Sequence, residues 1–125
     1  MAPKLVHVDG FDAVVKALDE HKGSSVVFVL FCGSRTARGV SWCPDCVTAE
    51  PIIHESFKKC PDDHVLIHCT VGERNFWKDK ACIFRTDARF KLNAVPTLMR
   101  WGKPQRLEET QCTDPGLVDM LFEDE

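Results

Sequence analysis

No stretch of this chain approaches the ~20 consecutive apolar residues of a membrane-spanning helix. The opening residues, Met1-Ala2-Pro3-Lys4-Leu5-Val6-His7-Val8-Asp9, hold no long apolar run, so no secretory signal is expected. The closing Phe122-Glu123-Asp124-Glu125 is not an endoplasmic-reticulum retention signal. There is no excess of basic residues: the net charge is −3, which argues against a nucleic-acid partner. Repeats, low-complexity tracts and an interdomain linker are all lacking. No second CxxC pair stands beside the one at Cys43, and Cys60, Cys69, Cys82 and Cys112 show no ligand spacing, so no metal site is expected. These absences leave one domain over residues 1–125, expected to be a cytoplasmic monomer with neither membrane nor nucleic acid as partner.

What is present suits a packed globular domain. At 44% hydrophobic and 28% charged residues, the composition is ordinary for one, and 125 residues suffice for a real core. Seven cysteines are an odd number, so they cannot all pair within one chain. Without a secretion signal the setting reads as reducing, where a CxxC pair points to redox work.

That pair lies in Ser41-Trp42-Cys43-Pro44-Asp45-Cys46-Val47, just ahead of a helical pattern. Residues three apart on a first helical turn share a face, and their Cα atoms fall within disulfide range. The first turn also offers unpaired N–H groups and the positive end of the helix dipole, which favour a thiolate. Cys43, at the helix mouth, is therefore expected to be the more acidic thiol and the attacking nucleophile. Cys46, one turn in, is the expected resolving thiol. Pro44 and Asp45 between them are expected to tune the potential of the dithiol, and Trp42 to wall the site and support substrate.

The rest of the chain reads as alternating strands and helices. A strand is expected at 5–8, a helix at 11–20 from the spacing of Phe11, Val14, Val15 and Leu18, and a strand buried on both faces at 25–31. Residues 33–40 form a loop by composition. The next helix runs from about Cys43 to Lys59 with a kink at Pro51. A second buried strand follows at 65–69, then one helix, broken or not, plus loop over 72–93. A strand starts at Thr97 because Pro96 cannot donate to a ladder. Gly102-Lys103-Pro104 turns the chain into an edge strand at 105–110, and Asp114-Pro115 caps a last helix ending near Phe122. The order is βαβαβαββα, an α/β fold with a central mixed β-sheet flanked by helices.

These linked features resemble the thioredoxin family across nearly the whole chain. Trp42-Cys43-Pro44-Asp45-Cys46 matches its redox motif. Pro51 sits where that family kinks the active-site helix, Val95-Pro96-Thr97 matches its cis-proline loop, and Gly102 lies in its closing hairpin. Cys-Pro-Asp-Cys, the long 33–41 segment, Glu50-Pro51, Phe76-Trp77-Lys78-Asp79 and Leu117-Val118-Asp119-Met120-Leu121-Phe122 resemble a branch of small thioredoxin-related cytosolic proteins. The resemblance implies a thioredoxin fold and a protein-disulfide reductase recharged by thioredoxin reductase, with electrons from NADPH and no bound cofactor. Its substrates would be disulfide proteins or small disulfides such as cystine. It further implies peroxidase activity and a part in redox-sensitive signalling, including the NF-kappa-B pathway. Val95 and Pro96 would present a backbone edge to substrate, with the Val95–Pro96 bond cis.

One departure stands out. Thioredoxins usually carry a buried Asp beneath the motif, where alignment through Phe31 places Leu30. Asp45 is then the nearest carboxylate for the Cys46 proton, although an acid there also simply complements the helix dipole. Cys32, Cys60, Cys69, Cys82 and Cys112 read as structural thiols, with a second disulfide among them as the alternative. Arg35 and Arg38 read as solvated loop charges, against a role in guiding anions to Cys43. His7, His21, His54, His64 and His68 form no cluster by spacing, and most of them read as ordinary surface or strand residues. Two other functions remain open: a glutaredoxin-like enzyme acting on glutathione mixed disulfides, and a binding protein whose dithiol switches partner affinity.

Overall fold

The computed structural model describes residues 2–24 and 26–123. In chain order the elements are β1 (Lys4–Asp9), α1 (Phe11–Glu20), β2 (Val26–Cys32), α2 (Pro44–Phe57), β3 (His64–Thr70), α3 (Arg74–Lys78), α4 (Ile83–Thr86), β4 (Thr97–Arg100), β5 (Arg106–Glu108) and α5 (Pro115–Glu123). A 3-10 turn, Glu109–Thr113, precedes the last helix. Ser25, where the sequence opens the second strand, lies outside the described residues. The sheet is five-stranded in the order β1-β3-β2-β4-β5. β3 is parallel to both β1 and β2, while β4 is antiparallel to β2 and β5. This is the mixed α/β sheet expected, with the closing hairpin on one side.

Strand β2 explains the layering. Its residues from Val27 to Cys32 are all buried, so both faces of the sheet must be covered. Side chains alternate across a strand, and the aromatic contacts follow that alternation. Phe28 meets Phe57 of α2 and Phe122 of α5 at ring separations of 6.5 and 4.8 Å. Phe31, on the opposite face, meets Phe84 of α4 and Phe90 at 5.9 and 5.2 Å. Leu30 and Cys32 share the Phe28 face, so the carboxyl end of β2 brings Cys32 under the start of α2.

Over residues 72–93 the expected helix is broken into two short ones. Asp79 and Cys82 are extended, and Asp79 Oδ1 accepts the Ala81 N–H at 2.8 Å, so the aspartate side chain takes the place of a helical carbonyl. The last strand stops at Glu108 rather than 110 because the Glu108 N–H is spent on Gln111 Oε1 at 2.9 Å, and Glu109 turns to φ 52°. Helix α2 continues through Pro51. That residue has no N–H for the Val47 carbonyl, and Val47 is exposed to solvent. Asp114 stands before Pro115 and accepts the Gly116 and Leu117 N–H groups at 2.9 and 3.3 Å, the cap the sequence predicts.

Phe28 joins three elements, so Phe28→Ala is expected to cost about 3–5 kcal/mol, read from urea unfolding of the reduced protein. A loss under about 1 kcal/mol would mean that α2 and α5 are held to the sheet by other contacts.

Candidate active site

Helix α2 begins with Pro44, whose missing N–H and fixed φ suit the first helical position. Cys43 is the residue before it, extended at φ −97° and ψ 110°, and its sulfur accepts the Cys46 N–H at 3.2 Å. The thiol thus fills the role of an N-cap hydroxyl. Ser41 fixes the approach: its Oγ donates to the Gly33 carbonyl at 2.7 Å and accepts the Cys43 N–H at 3.2 Å. Trp42 donates from Nε1 to the Gly72 carbonyl at 2.8 Å, and its ring lies directly over Gly33. A Cβ at Gly33 would come within 2.6 Å of that ring.

The two sulfurs differ in surroundings. Cys43 is 5% exposed and borders an open groove of about 650 Å³ with Trp42, Pro44, Arg74, Trp77, Lys78 and Val95. Its Sγ lies 3.6 Å from the Val95 carbonyl oxygen, and the Val95–Pro96 bond is cis, as expected. Cys46 is fully buried and does not border the groove; its sulfur accepts the Gly33 N–H at 3.5 Å and hydrogen-bonds the Cys32 thiol. Trp77 is held as a groove wall by Arg85, which donates to its carbonyl at 2.7 Å and stacks 4.0 Å from its ring centre.

The acidity expected of Cys43 is not what this reduced pair shows. Its shared hydrogen bond with Cys46, then burial, push the Cys43 thiol above the ordinary range, against the opposing pull of the Cys46 backbone N–H. The partner sulfur, on the same helix face, outweighs the pull of the helix mouth. Cys46 is likewise raised, chiefly by its hydrogen bond to Cys32, with burial adding to it.

Asp45 lies in the first turn of α2, where an acid complements the dipole, and its charge adds to what holds the proton on Cys43. Leu30 is fully buried in β2, as its alignment implies. Arg35 donates Nη1 to the Gly39 carbonyl at 2.8 Å, and neither Arg35 nor Arg38 borders the groove. Segment 72–93 therefore lines the groove, through Arg74, Trp77 and Lys78, whereas 33–41 meets the dithiol from behind, through Gly33 and Ser41. Cys69 and Cys112 are buried and each pushed up to about 12 by that burial, as inert thiols should be. Cys112 donates to the Pro96 carbonyl at 3.6 Å and so braces the loop that carries Val95.

Three of the histidines meet in the fold although their spacing announces no cluster. His7, His54 and His68 gather into one cluster, with His68 5.2 Å from each of the other two rings. His7 and His68 are register partners on neighbouring strands, and α2 lays His54 across them. His64 and His68, four apart in sequence, form no pair, since four strand residues span about 13 Å. Beneath Cys46, Cys32 stands with Glu50 and His68 in a further group. Its members come from β2, α2 and β3, so no short spacing announces it.

Comparison with known proteins agrees with this geometry. The family described as thioredoxin domain-containing protein 17-like, thioredoxin domain, matches residues 7–124. The chain belongs to that family. It is 45% identical over 120 residues to thioredoxin domain-containing protein 17 of Mus musculus, covering 96% of this chain and 95% of the relative. The Homo sapiens protein of that name is 44% identical over the same shares. The thioredoxin-like protein Clot of Arabidopsis thaliana is 41% identical over 104 residues, covering 80% of this chain and 78% of the relative. Thioredoxin O1 from Arabidopsis thaliana, solved in its oxidised state, superposes with a TM-score of 0.62 at 22% identity over 96% of this chain and 99% of that one. This last likeness shows the thioredoxin fold. Family membership makes the chain a thioredoxin-type thiol–disulfide oxidoreductase in general terms. No helix among the described residues is long and apolar enough to cross a membrane.

Because the Cys43 thiol is raised, its thiolate fraction grows through the alkaline range. Alkylation of the reduced protein by iodoacetamide is expected at Cys43 before Cys46, with a rate climbing about tenfold per pH unit to at least pH 8.5. A plateau below pH 7.5 would show that the helix N–H outweighs the partner sulfur.

Proposed function

We propose that the protein is a protein-disulfide reductase in which Cys43 attacks and Cys46 resolves. The observation that carries this reading is the unequal placement of the two sulfurs. Cys43 borders the open groove and takes the first-turn N–H of α2, whereas Cys46 is sealed beneath it. The Cys43 thiolate attacks one sulfur of the substrate disulfide, a mixed disulfide forms, and the electron pair leaves on the other substrate sulfur, which takes up a proton. Cys46, deprotonated, then attacks Cys43 Sγ. The Cys43–Cys46 bond forms, the bond to substrate breaks, and a second substrate thiol is released. Two electrons have passed from the dithiol to the substrate.

The Val95 carbonyl, beside Cys43, gives an extended substrate an acceptor next to the reacting sulfur. Trp42 and Trp77 supply apolar walls, while Arg74 and Lys78 bring positive charge to one side of the groove. Pro44 and Asp45 set the potential through the helix start they occupy. This reading includes recharging of the oxidised pair by thioredoxin reductase at the expense of NADPH, with no bound cofactor. It also includes a cytoplasmic monomer of one domain, and peroxide reduction and redox signalling as further uses of the dithiol. These elements rest on the resemblance to thioredoxin-related proteins.

The test is NADPH consumption with thioredoxin reductase, using cystine and insulin as alternative substrates. Cys43→Ser is expected to fall to background on both. Cys46→Ser is expected to lose turnover but accumulate a mixed disulfide through Cys43, visible by mass spectrometry. Because Trp77 and Lys78 border the dithiol, cystine is expected to be turned over more efficiently than insulin. Turnover only when glutathione and glutathione reductase replace thioredoxin reductase would overturn the reading in favour of a glutaredoxin-like enzyme.

A further inference from the structure

Beneath the dithiol, the Cys32 sulfur, a Glu50 carboxylate oxygen and a His68 ring nitrogen all lie within 4.8 Å of one another. Cys32 is fully buried, and the His68 and Glu50 side chains are only 4% and 15% exposed. Each comes from a different rigid element: Cys32 ends β2, Glu50 lies in α2, and His68 lies in β3. A packing role alone does not account for their polar atoms.

The imidazole of His68 is the decisive member. Its Nδ1 lies 3.2 Å from His54 Nε2, within hydrogen-bond distance. In the tautomer that donates Nδ1–H to His54, Nε2 is a lone pair open to a cation. That Nε2 is buried, makes no well-aligned hydrogen bond, and stands at ion-pair distance, 3.0 Å, from Glu50 Oε1. A cation held between Nε2 and the carboxylate takes the place of the proton that the other tautomer puts there. A ring with one nitrogen held by a neighbouring side chain while the other faces a carboxylate and a thiol is the arrangement that metal-binding histidines use.

We propose that Cys32, Glu50 and His68 form a buried binding site for one divalent cation of the zinc class. Thiolate, imidazole and carboxylate are the donor types of zinc sites, whereas magnesium and calcium take oxygen donors. Binding releases the Cys32 proton. The Cys32 thiolate and the Glu50 carboxylate then carry two negative charges against the two positive charges of the ion, so the buried assembly is neutral. Arg35, His7 and His54 are the charged or titratable neighbours around Glu50 and His68 on the surrounding elements. Three protein donors leave a fourth position open. The proposal does not depend on the reductase reading, because neither Cys43 nor Cys46 is among the donors.

The test uses the full chain carrying Cys43→Ser and Cys46→Ser, so that the CxxC pair contributes no thiolate. Cobalt(II) is added as a spectroscopic probe, and zinc(II) affinity is read by competition with a chromophoric chelator. One equivalent of cobalt is expected to give a near-ultraviolet band of thiolate-to-metal charge transfer, which zinc then abolishes. In the same background Cys32→Ser is expected to remove the band. His68→Gln and Glu50→Gln are each expected to weaken zinc binding more than ~10-fold. Cys60→Ser, at a thiol outside the cluster, is expected to change neither. Absence of the band in the folded parent background, or its persistence in Cys32→Ser, would overturn the proposal. Circular dichroism of each variant separates loss of the site from loss of the fold, and the parent background alone already decides the first outcome.

Discussion

A helix must find acceptors for its first N–H groups, and here a sulfur atom is one of them. The bond from the Cys46 N–H to Cys43 Sγ starts α2 and places the reactive atom in one stroke. Much else serves that bond. Ser41 holds the Cys43 backbone, Trp42 is pinned to the Gly72 carbonyl, and β2 ends where Gly33 can offer its N–H to Cys46. Structure and chemistry share these few groups, so a change that loosens the helix start also moves the nucleophile.

The partner sulfur sets the opposite pull. Burial and a shared proton keep the reduced pair protonated, while the helix mouth favours its ionisation. A substrate that enters the groove changes this balance, because a mixed disulfide removes the Cys43 thiol from the pair. Cys46 is then left with Gly33, Cys32 and the helix start around it. The resolving step therefore runs in different electrostatic surroundings from the attacking step.

Much of this was legible in the residues themselves. The alternation of apolar runs located the strands, and Phe11, Val14 and Leu18 marked α1 with its full bounds. Cys43, Pro44 and Cys46 announced the site because three-residue spacing on a helix is a local geometry. What escaped were features that arise only when distant segments meet. The His7, His54 and His68 cluster depends on strand register and on how α2 crosses the sheet. The split between α3 and α4 depends on which way the Asp79 side chain turns. The raised Cys43 thiol depends on a sulfur that periodicity could place nearby but could not weigh.

Gly33 and Trp42 illustrate a different kind of dependence. The indole fills the volume that any side chain at position 33 would require. The two positions are thus a single degree of freedom for divergence. A lineage that enlarges residue 33 must first shrink or rotate the aromatic at 42, and in doing so it rebuilds one wall of the groove. Substrate range in such a lineage would drift through a position that does not line the groove.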